Sequence, residues 1–303
     1  MKNAIKYFFK SIIRLLFKLH VLTPKIVVLM DGGICSQMYQ YLIGQQFAEK
    51  GYKVMYDLYF FENCSKDPNG IFARNFDLLK AYPYLRFTSM TNMERHIYML
   101  NSYHFNNYYD KDIDQLNYLK STPPAYLGGY YHAPLILWKE MIPAYFKSDI
   151  KIMDKANQKA YLEIIKTKDS VAVHVRRGDL NVAHPAYGTP ASIQYFISAI
   201  KYMNAQIKAP TYFFFSDEPR WVKEKLIPQL PLENNYRISD INGSDKGYMD
   251  LFLIASCKHQ ITSKGSLGKF GALMSDNPNK LVTLCDDKTE YEWKYRLDNP
   301  IFL

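Results

Sequence analysis

Two separated blocks of short apolar runs, each alternating with glycine-punctuated turns and helical stretches, constrain this chain more than any other feature. The first block opens with Lys25–Met30, a β-branched run of strand length. Gly32 and Gly33 break it, residues 36–50 have helical character closed by Gly51, and residues 53–61 predict a second strand. The second block starts at the strand Ser170–Val175, with further strands at 211–215 and 259–262. Helices are predicted over 193–204, from Glu218-Pro219, over 249–255 and over 267–274. Such alternation predicts an α/β fold with parallel sheets, as two Rossmann-like domains facing each other across a cleft. The expected division is residues 1–22 as a basic amphipathic helix, 23–150 as an N-terminal α/β domain and 151–303 as a C-terminal one. Between the blocks, the Asn- and Tyr-rich stretch 63–130 is expected to hold helices and loops, followed by a helix from about 150 to 167.

With 303 residues, 48% of them hydrophobic, the chain has enough apolar material for two cores. Its 38 Lys and Arg against 29 Asp and Glu give a net charge of +9, which suits an anionic membrane surface or a phosphate-bearing substrate. Nucleic acid is not expected, since there is no RNP signature, zinc-finger spacing or Arg-rich tract. Cys35, Cys64, Cys257 and Cys285 are scattered without a CxxC pair and read as reduced thiols. The seven His show no HExxH or paired ligand spacing, so no metal site is expected.

Residues 1–20 place Lys2, Lys6, Lys10, Arg14 and Lys18 at every fourth position among Ile, Leu and Phe. The cations interrupt every apolar run well short of the ~20 residues that a spanning helix needs. The helix either packs on the protein's own core or lies in the interface of an anionic membrane. Its wide aromatic face and lack of acidic residues favour the membrane.

Three segments carry potential chemistry. His174-Val175-Arg176-Arg177-Gly178-Asp179 ends a strand, where open α/β sheets bind their ligands. A guanidinium there fits two phosphate oxygens, and Asp179 is either a base or the group that orients an arginine. Ser263-Lys264-Gly265-Ser266 links a strand to a helix; its backbone N–H groups, hydroxyls and lysines (Lys264 and Lys269) make either an anion site or an ordinary βα turn with solvated lysines. Asp31-Gly32-Gly33, with Gln37 beyond, lets a substrate approach the backbone but is not GxGxxG. Ser216-Asp217 ends another strand, with Asp217 either a ligand to a base or ribose or a helix cap. Asp57 closes the second strand, where dinucleotide folds carry an acid. Asp112 and Asp114 spell DxD in a polar stretch, and Asp286-Asp287 likewise reads as a solvated charge run.

Together these segments resemble glycosyltransferase family 11, the α-1,2-fucosyltransferases. Gly32 to Tyr41 is similar to the family's GGLGNQMFQY, and His174 to Asp179 matches HxRRGD. Ser216-Asp217 looks like the start of SDD, and Asp250 to His259 is similar to DLxLMSxCKH. Lys264–Ala272 differs from the family's NSSFSWWGA. The resemblance implies a GT-B-like fold and an inverting, metal-independent transfer of L-fucose from GDP-fucose to the 2-hydroxyl of a galactoside. The acceptor would be a surface polysaccharide or lipid-linked oligosaccharide. Arg176, Asp179 and His174 are then the catalytic candidates, with Asp31 a second candidate base. Arg176, Arg177, Ser216, Asp217, Ser263, Lys264, Gly265 and Ser266 would hold the donor, and Asp31, Gly32, Gly33 and Gln37 would line the acceptor side. No cofactor or metal is implied, and the enzyme is expected to be cytoplasmic and peripheral on the inner face of the cell membrane. The alternatives are a related transferase using another sugar nucleotide, or a non-catalytic nucleotide-sugar or glycan-binding protein.

Overall fold

The computed structural model describes residues 2–64, 74–100, 104–106, 117–128, 136–182 and 189–303; Asp112 and Asp114 lie outside the described residues. The chain forms two compact units, Met1–Ser65 with Pro83–Leu137, and Lys66–Tyr82 with Trp138–Leu303. Each is an α/β unit built on one parallel sheet.

In the first unit, helix α1 (Lys2–Lys18) precedes strand β1 (Ile26–Leu29), helix α2 (Ile34–Glu49) and strand β2 (Val54–Asp57). Strands β3 (His104–Asn106) and β4 (Ala125–Gly128) complete a sheet of order β2-β1-β4-β3. These two strands correct the expectation of helices and loops over 63–130. They are three and four residues long, too short to leave a periodic signal. β2 also stops earlier than the sequence suggests. Asp57 Oδ1 accepts from Tyr59 N at 2.9 Å and turns the chain into the helix Tyr59–Asn63.

Asp57 itself is fully buried and accepts from Arg95 Nε at 2.8 Å and from Tyr126 Oη at 2.7 Å. A carboxylate so enclosed is stable only with this pairing. It holds β2, β4 and the helix Asn92–Leu100 together, which is a structural duty rather than a ribose contact.

The second unit carries β5 (Ser170–Val175), β6 (Thr211–Ser216), β7 (Tyr236–Ser239), β8 (His259–Thr262), β9 (Val282–Leu284) and β10 (Ile301–Phe302). Their order is β10-β9-β8-β5-β6-β7. The chain therefore builds outward from β5 in one direction, then returns to β5 and builds outward in the other. The switch point, where such sheets leave a crevice beyond the strand ends, lies between β5 and β8. Every residue of β5 is buried because helices cover both faces of the sheet. Val171, Val173 and Val175 pack against Tyr195, Phe196, Ala199 and Met203 of the helix Ile193–Gln206. Ala172 faces the other way, toward Phe213, Ile164 and Leu253. Full burial of each of these Val, Ile, Leu, Met and Phe side chains contributes about 1.5–3 kcal/mol.

The helix expected from about 150 begins at Lys155, because Asp154 accepts from Asn157 N and caps it there. The four cysteines form no disulfide, and three of them are buried. Among the described residues no helix is long and apolar enough to cross a membrane.

Candidate functional site

The strand ends of β5, β6 and β8 bring the second-unit segments together. Register pairs Val175 with Ser216 and His174 with Thr262, so Arg176 leaves the sheet beside both Asp217 and Ser263. Its backbone N–H donates to Ser263 Oγ at 2.9 Å across the switch point. Ser263 is buried, and its hydroxyl serves to tie the two strand ends.

The Arg176 side chain is held from two directions. Nε donates to Asp179 Oδ1 at 2.9 Å and Nη2 donates to Oδ2, a two-pronged pairing that fixes the plane of the guanidinium. Arg74 Nη2 donates to the same Oδ2 at 3.1 Å. Burial alone would raise the Asp179 pKa, but Arg176 and Arg74 outweigh it and hold the carboxyl below its ordinary value. Two cations against one carboxylate leave this trio with a positive charge in excess.

Beneath the guanidinium runs Gly265, at φ +81°. A Cβ there would collide with Arg176 Nη1 and lie 2.8 Å from Cδ. The glycine therefore serves both a left-handed turn and a close approach. One residue later, Ser266 stands at the N-cap of the helix Leu267–Met274, with no capping bond from its own side chain. Arginine and helix start together form an arrangement suited to an anion with several oxygens.

The other candidates take bracing positions. Asp217 accepts from Arg177 N at 2.9 Å and Gly178 N at 3.0 Å, capping the turn that carries Asp179. Burial raises its pKa, the two amides oppose this, and Asp179 nearby adds to the rise. Ser216 Oγ donates to Val175 O at 2.7 Å and accepts from Glu218 N at 3.0 Å. Arg177 stacks 3.6 Å over the Trp221 ring and donates to Glu218 Oε2 at 3.1 Å.

Lys264 pairs with Asp287 Oδ2 at 2.9 Å and donates to Thr289 Oγ1. Asp287 is thus no solvated charge run: Thr289 and Lys264 hold its carboxyl far below the ordinary range. Lys269, 1% exposed, pairs with buried Glu290 and donates to Gly265 O at 2.6 Å. Both lysines of the expected anion site are consequently matched by carboxylates from the segment after β9. They brace the Gly265 turn and add no net charge to it.

His174 lies under the helix Leu267–Met274, with Gly268 packed against its ring, and is 5% exposed. Burial first, then Arg176 and Lys269, push its pKa down to about 3, so the imidazole is neutral at physiological pH.

In the first unit, Asp31 and Gly32 follow β1. Gln40 Nε2 donates to Asp31 Oδ1 at 2.6 Å, and Gln40 Oε1 accepts from Asp31 N at 3.0 Å. Gln37 is buried, and its Nε2 donates to Gly32 O at 3.1 Å. Gly32 has φ +70° and sits over Ser36, whereas a Cβ on Gly33 would meet open space. This strand-to-helix turn is thereby pinned by two glutamines of α2 while Gly33 stays approachable.

Arg74, Glu290, Asp287 and Trp221 complete the site but carry no local signal in the sequence. Arg74 reaches Asp179 from 105 residues away. Among the described residues no group of three or more His, Cys, Asp or Glu is placed to hold a metal ion.

The sequence profile of glycosyl transferase family 11 matches residues 75–295, which include every residue of the second-unit site but Arg74 and leave out Asp31–Gln37. The chain is 25% identical over 116 residues to alpha-1,2-colitosyltransferase of Escherichia coli, covering 38% of this chain and 39% of that protein. It is 23% identical over 148 residues to O-antigen biosynthesis glycosyltransferase WbnK of Escherichia coli, covering 48% of each. The matched segments span less than half the length of these two curated relatives. Among solved structures, the fucosyltransferase NodZ from Bradyrhizobium aligns at a TM-score of 0.47 and 13% identity, over 88% of this chain and 95% of that one. POFUT1 in complex with GDP aligns at 0.40 and 13%, over 86% and 98%. A profile match over residues 75–295 of 303, enclosing Arg176 and Asp179 at the β5–β8 switch point, shows that the chain belongs to glycosyl transferase family 11.

Proposed function

We propose that the protein is an inverting glycosyltransferase that moves L-fucose from GDP-fucose to the 2-hydroxyl of a galactoside in a surface polysaccharide or lipid-linked oligosaccharide. The carrying observation is Arg176, clamped by Asp179 and packed against Gly265, two residues before the helix that starts at Leu267. In the proposed reaction the acceptor oxygen forms a bond to the sugar C1 as the bond from C1 to the diphosphate oxygen breaks. GDP leaves with the electron pair, and the acceptor proton passes to a base. Arg176 and the helix-start amides would stabilise the charge growing on the diphosphate, so no divalent metal or other cofactor is required.

Asp179 fits the orienting role better than that of base, because its two arginine partners lower its proton affinity. Asp31 is the other candidate base, on the acceptor side. Arg177, Ser216, Asp217, Ser263 and Lys264 would shape the donor turn through the bonds described above. His174 would support the helix above it as a neutral packing residue. The protein is proposed to work on the cytoplasmic side of the membrane, where sugar nucleotides are available.

A second donor is favoured by one observation: the matched relative is named a colitosyltransferase, so a colitosyl nucleotide is the alternative. A thermal-shift and transfer panel of GDP-fucose, a colitosyl nucleotide and UDP-sugars tests both. Stabilisation and transfer with GDP-fucose support the first reading. Transfer with the colitosyl nucleotide alone supports the second, and response to UDP-sugars alone rejects both.

A further inference from the structure

We propose that α1 docks the protein on an anionic lipid bilayer, with one face of the helix held by the first unit and a second face presented to the acyl boundary. The anchoring face is short. Ile13 and Phe17, one helical turn apart, pack into a cluster with Val27, Met55, Met90 and Tyr126. Phe17 meets Tyr98 edge-on, with ring centroids 5.8 Å apart. The helix is thus seated on the folded unit.

A second set of apolar residues takes no part in this cluster. Ile5, Phe8, Phe9, Ile12 and Leu15 recur at helical spacing on one stripe that Leu19 continues just past the helix end, and each is exposed, Phe8 at 65% and Leu19 at 61%. Large apolar side chains on a stripe this long are costly in water and mark an interaction surface.

Charge chooses the occupant. Lys2, Lys6, Lys10, Arg14 and Lys18 lie in the helix, and no Asp or Glu precedes Asp31. A second copy of this face would bring two sets of like charges together. An anionic bilayer supplies counter-charge at the headgroups and an apolar layer beneath them. The 17-residue helix is about 25 Å long and carries too many cations to span, so it would lie in the interface plane.

The test is flotation of the full-length protein with phosphatidylcholine vesicles, with and without phosphatidylglycerol. The wild type is expected to float with the phosphatidylglycerol vesicles and to detach as salt rises. Phe8→Glu with Leu15→Glu should lower partitioning on the order of a hundredfold, with circular dichroism melting unchanged because Ile13 and Phe17 are untouched. Arg14→Glu with Lys18→Glu should abolish the preference for phosphatidylglycerol. Failure of the wild type to float, or flotation unchanged in the Phe8/Leu15 variant, overturns the proposal. So does a wild-type dimer in sedimentation that Phe8→Glu with Leu15→Glu dissociates, since that would make a second copy the occupant.

Discussion

Adding one methyl group at Gly265 should silence the site while leaving the fold in place. The Cβ of Gly265→Ala would collide with Arg176 Nη1 and press on Cδ at 2.8 Å. The guanidinium is the movable partner, so it yields and loses its alignment with Asp179. The backbone at φ +81° adds a left-handed penalty of about 1–2 kcal/mol. For a chain of this size that is a melting-temperature drop of roughly a few degrees. The loss in turnover should be larger. A preorganised donor to developing charge is worth about 3–4 kcal/mol, or roughly 10²–10³-fold in rate. The assay is sugar-nucleotide turnover alongside thermal denaturation, for Gly265→Ala, Arg176→Ala and the double variant. Because the alanine acts through the arginine, the double variant should be about as slow as Arg176→Ala alone. Near-normal turnover in Gly265→Ala, or a double variant slowed by the product of the two single effects, would refute the argument.

Further consequences concern the groups around that arginine. Lys269→Met strands Glu290 as a buried carboxylate, at a cost of about 3–5 kcal/mol in urea denaturation, and adding Glu290→Gln should recover much of it. His174 has a folded pKa depressed to about 3 by burial, so the unfolded chain binds the extra proton below the ordinary value of 6.5. Stability should accordingly fall as pH drops from 6.5 toward 3, with this residue contributing up to about 1.4 kcal/mol per pH unit. His174→Gln should flatten that acid limb in pH-dependent melting. Asp179 also has a lowered folded pKa, so its ion pairs stabilise above the ordinary carboxylate value and fade as pH falls below it. Asp179→Asn should remove this contribution and lower turnover by misaligning Arg176. Asp31→Asn should lower kcat with little change in donor KM if Asp31 takes the acceptor proton, and unchanged kcat would reject that role.

The α/β class was legible because the central strands announce themselves. Ser170–Val175 and His259–Thr262 match their expected bounds, as does the helix Leu267–Met274. Ser170–Val175 is rich in β-branched residues, and the Ser263–Ser266 turn separates the strand His259–Thr262 from the apolar helix that follows. The outer strands were not legible. Tyr236–Ser239, Val282–Leu284 and Ile301–Phe302 are two to four residues long and depend on neighbours for their identity.

At the site, the sequence places Arg176, Asp217, Ser263 and Gly265 at or just beyond strand ends, and the sheet order β8-β5-β6 makes those ends neighbours. It does not reveal that Lys264 and Lys269 are matched by Asp287 and Glu290. A charge looks available until its partner is known, and these partners come from another strand end. The Arg74 contact to Asp179 is hidden for the same reason: no spacing rule links residues 105 apart.

In the proposed reaction, the fixed cation at Arg176 does the work a divalent metal would otherwise do. The most direct measurement is GDP release from GDP-fucose in EDTA, with and without a β-galactoside acceptor, for the wild type and Arg176→Ala. Acceptor-dependent release is expected from the wild type, unchanged by EDTA and abolished in Arg176→Ala with its thermal stability retained. Release that EDTA abolishes, or that survives in Arg176→Ala, would contradict this role for Arg176.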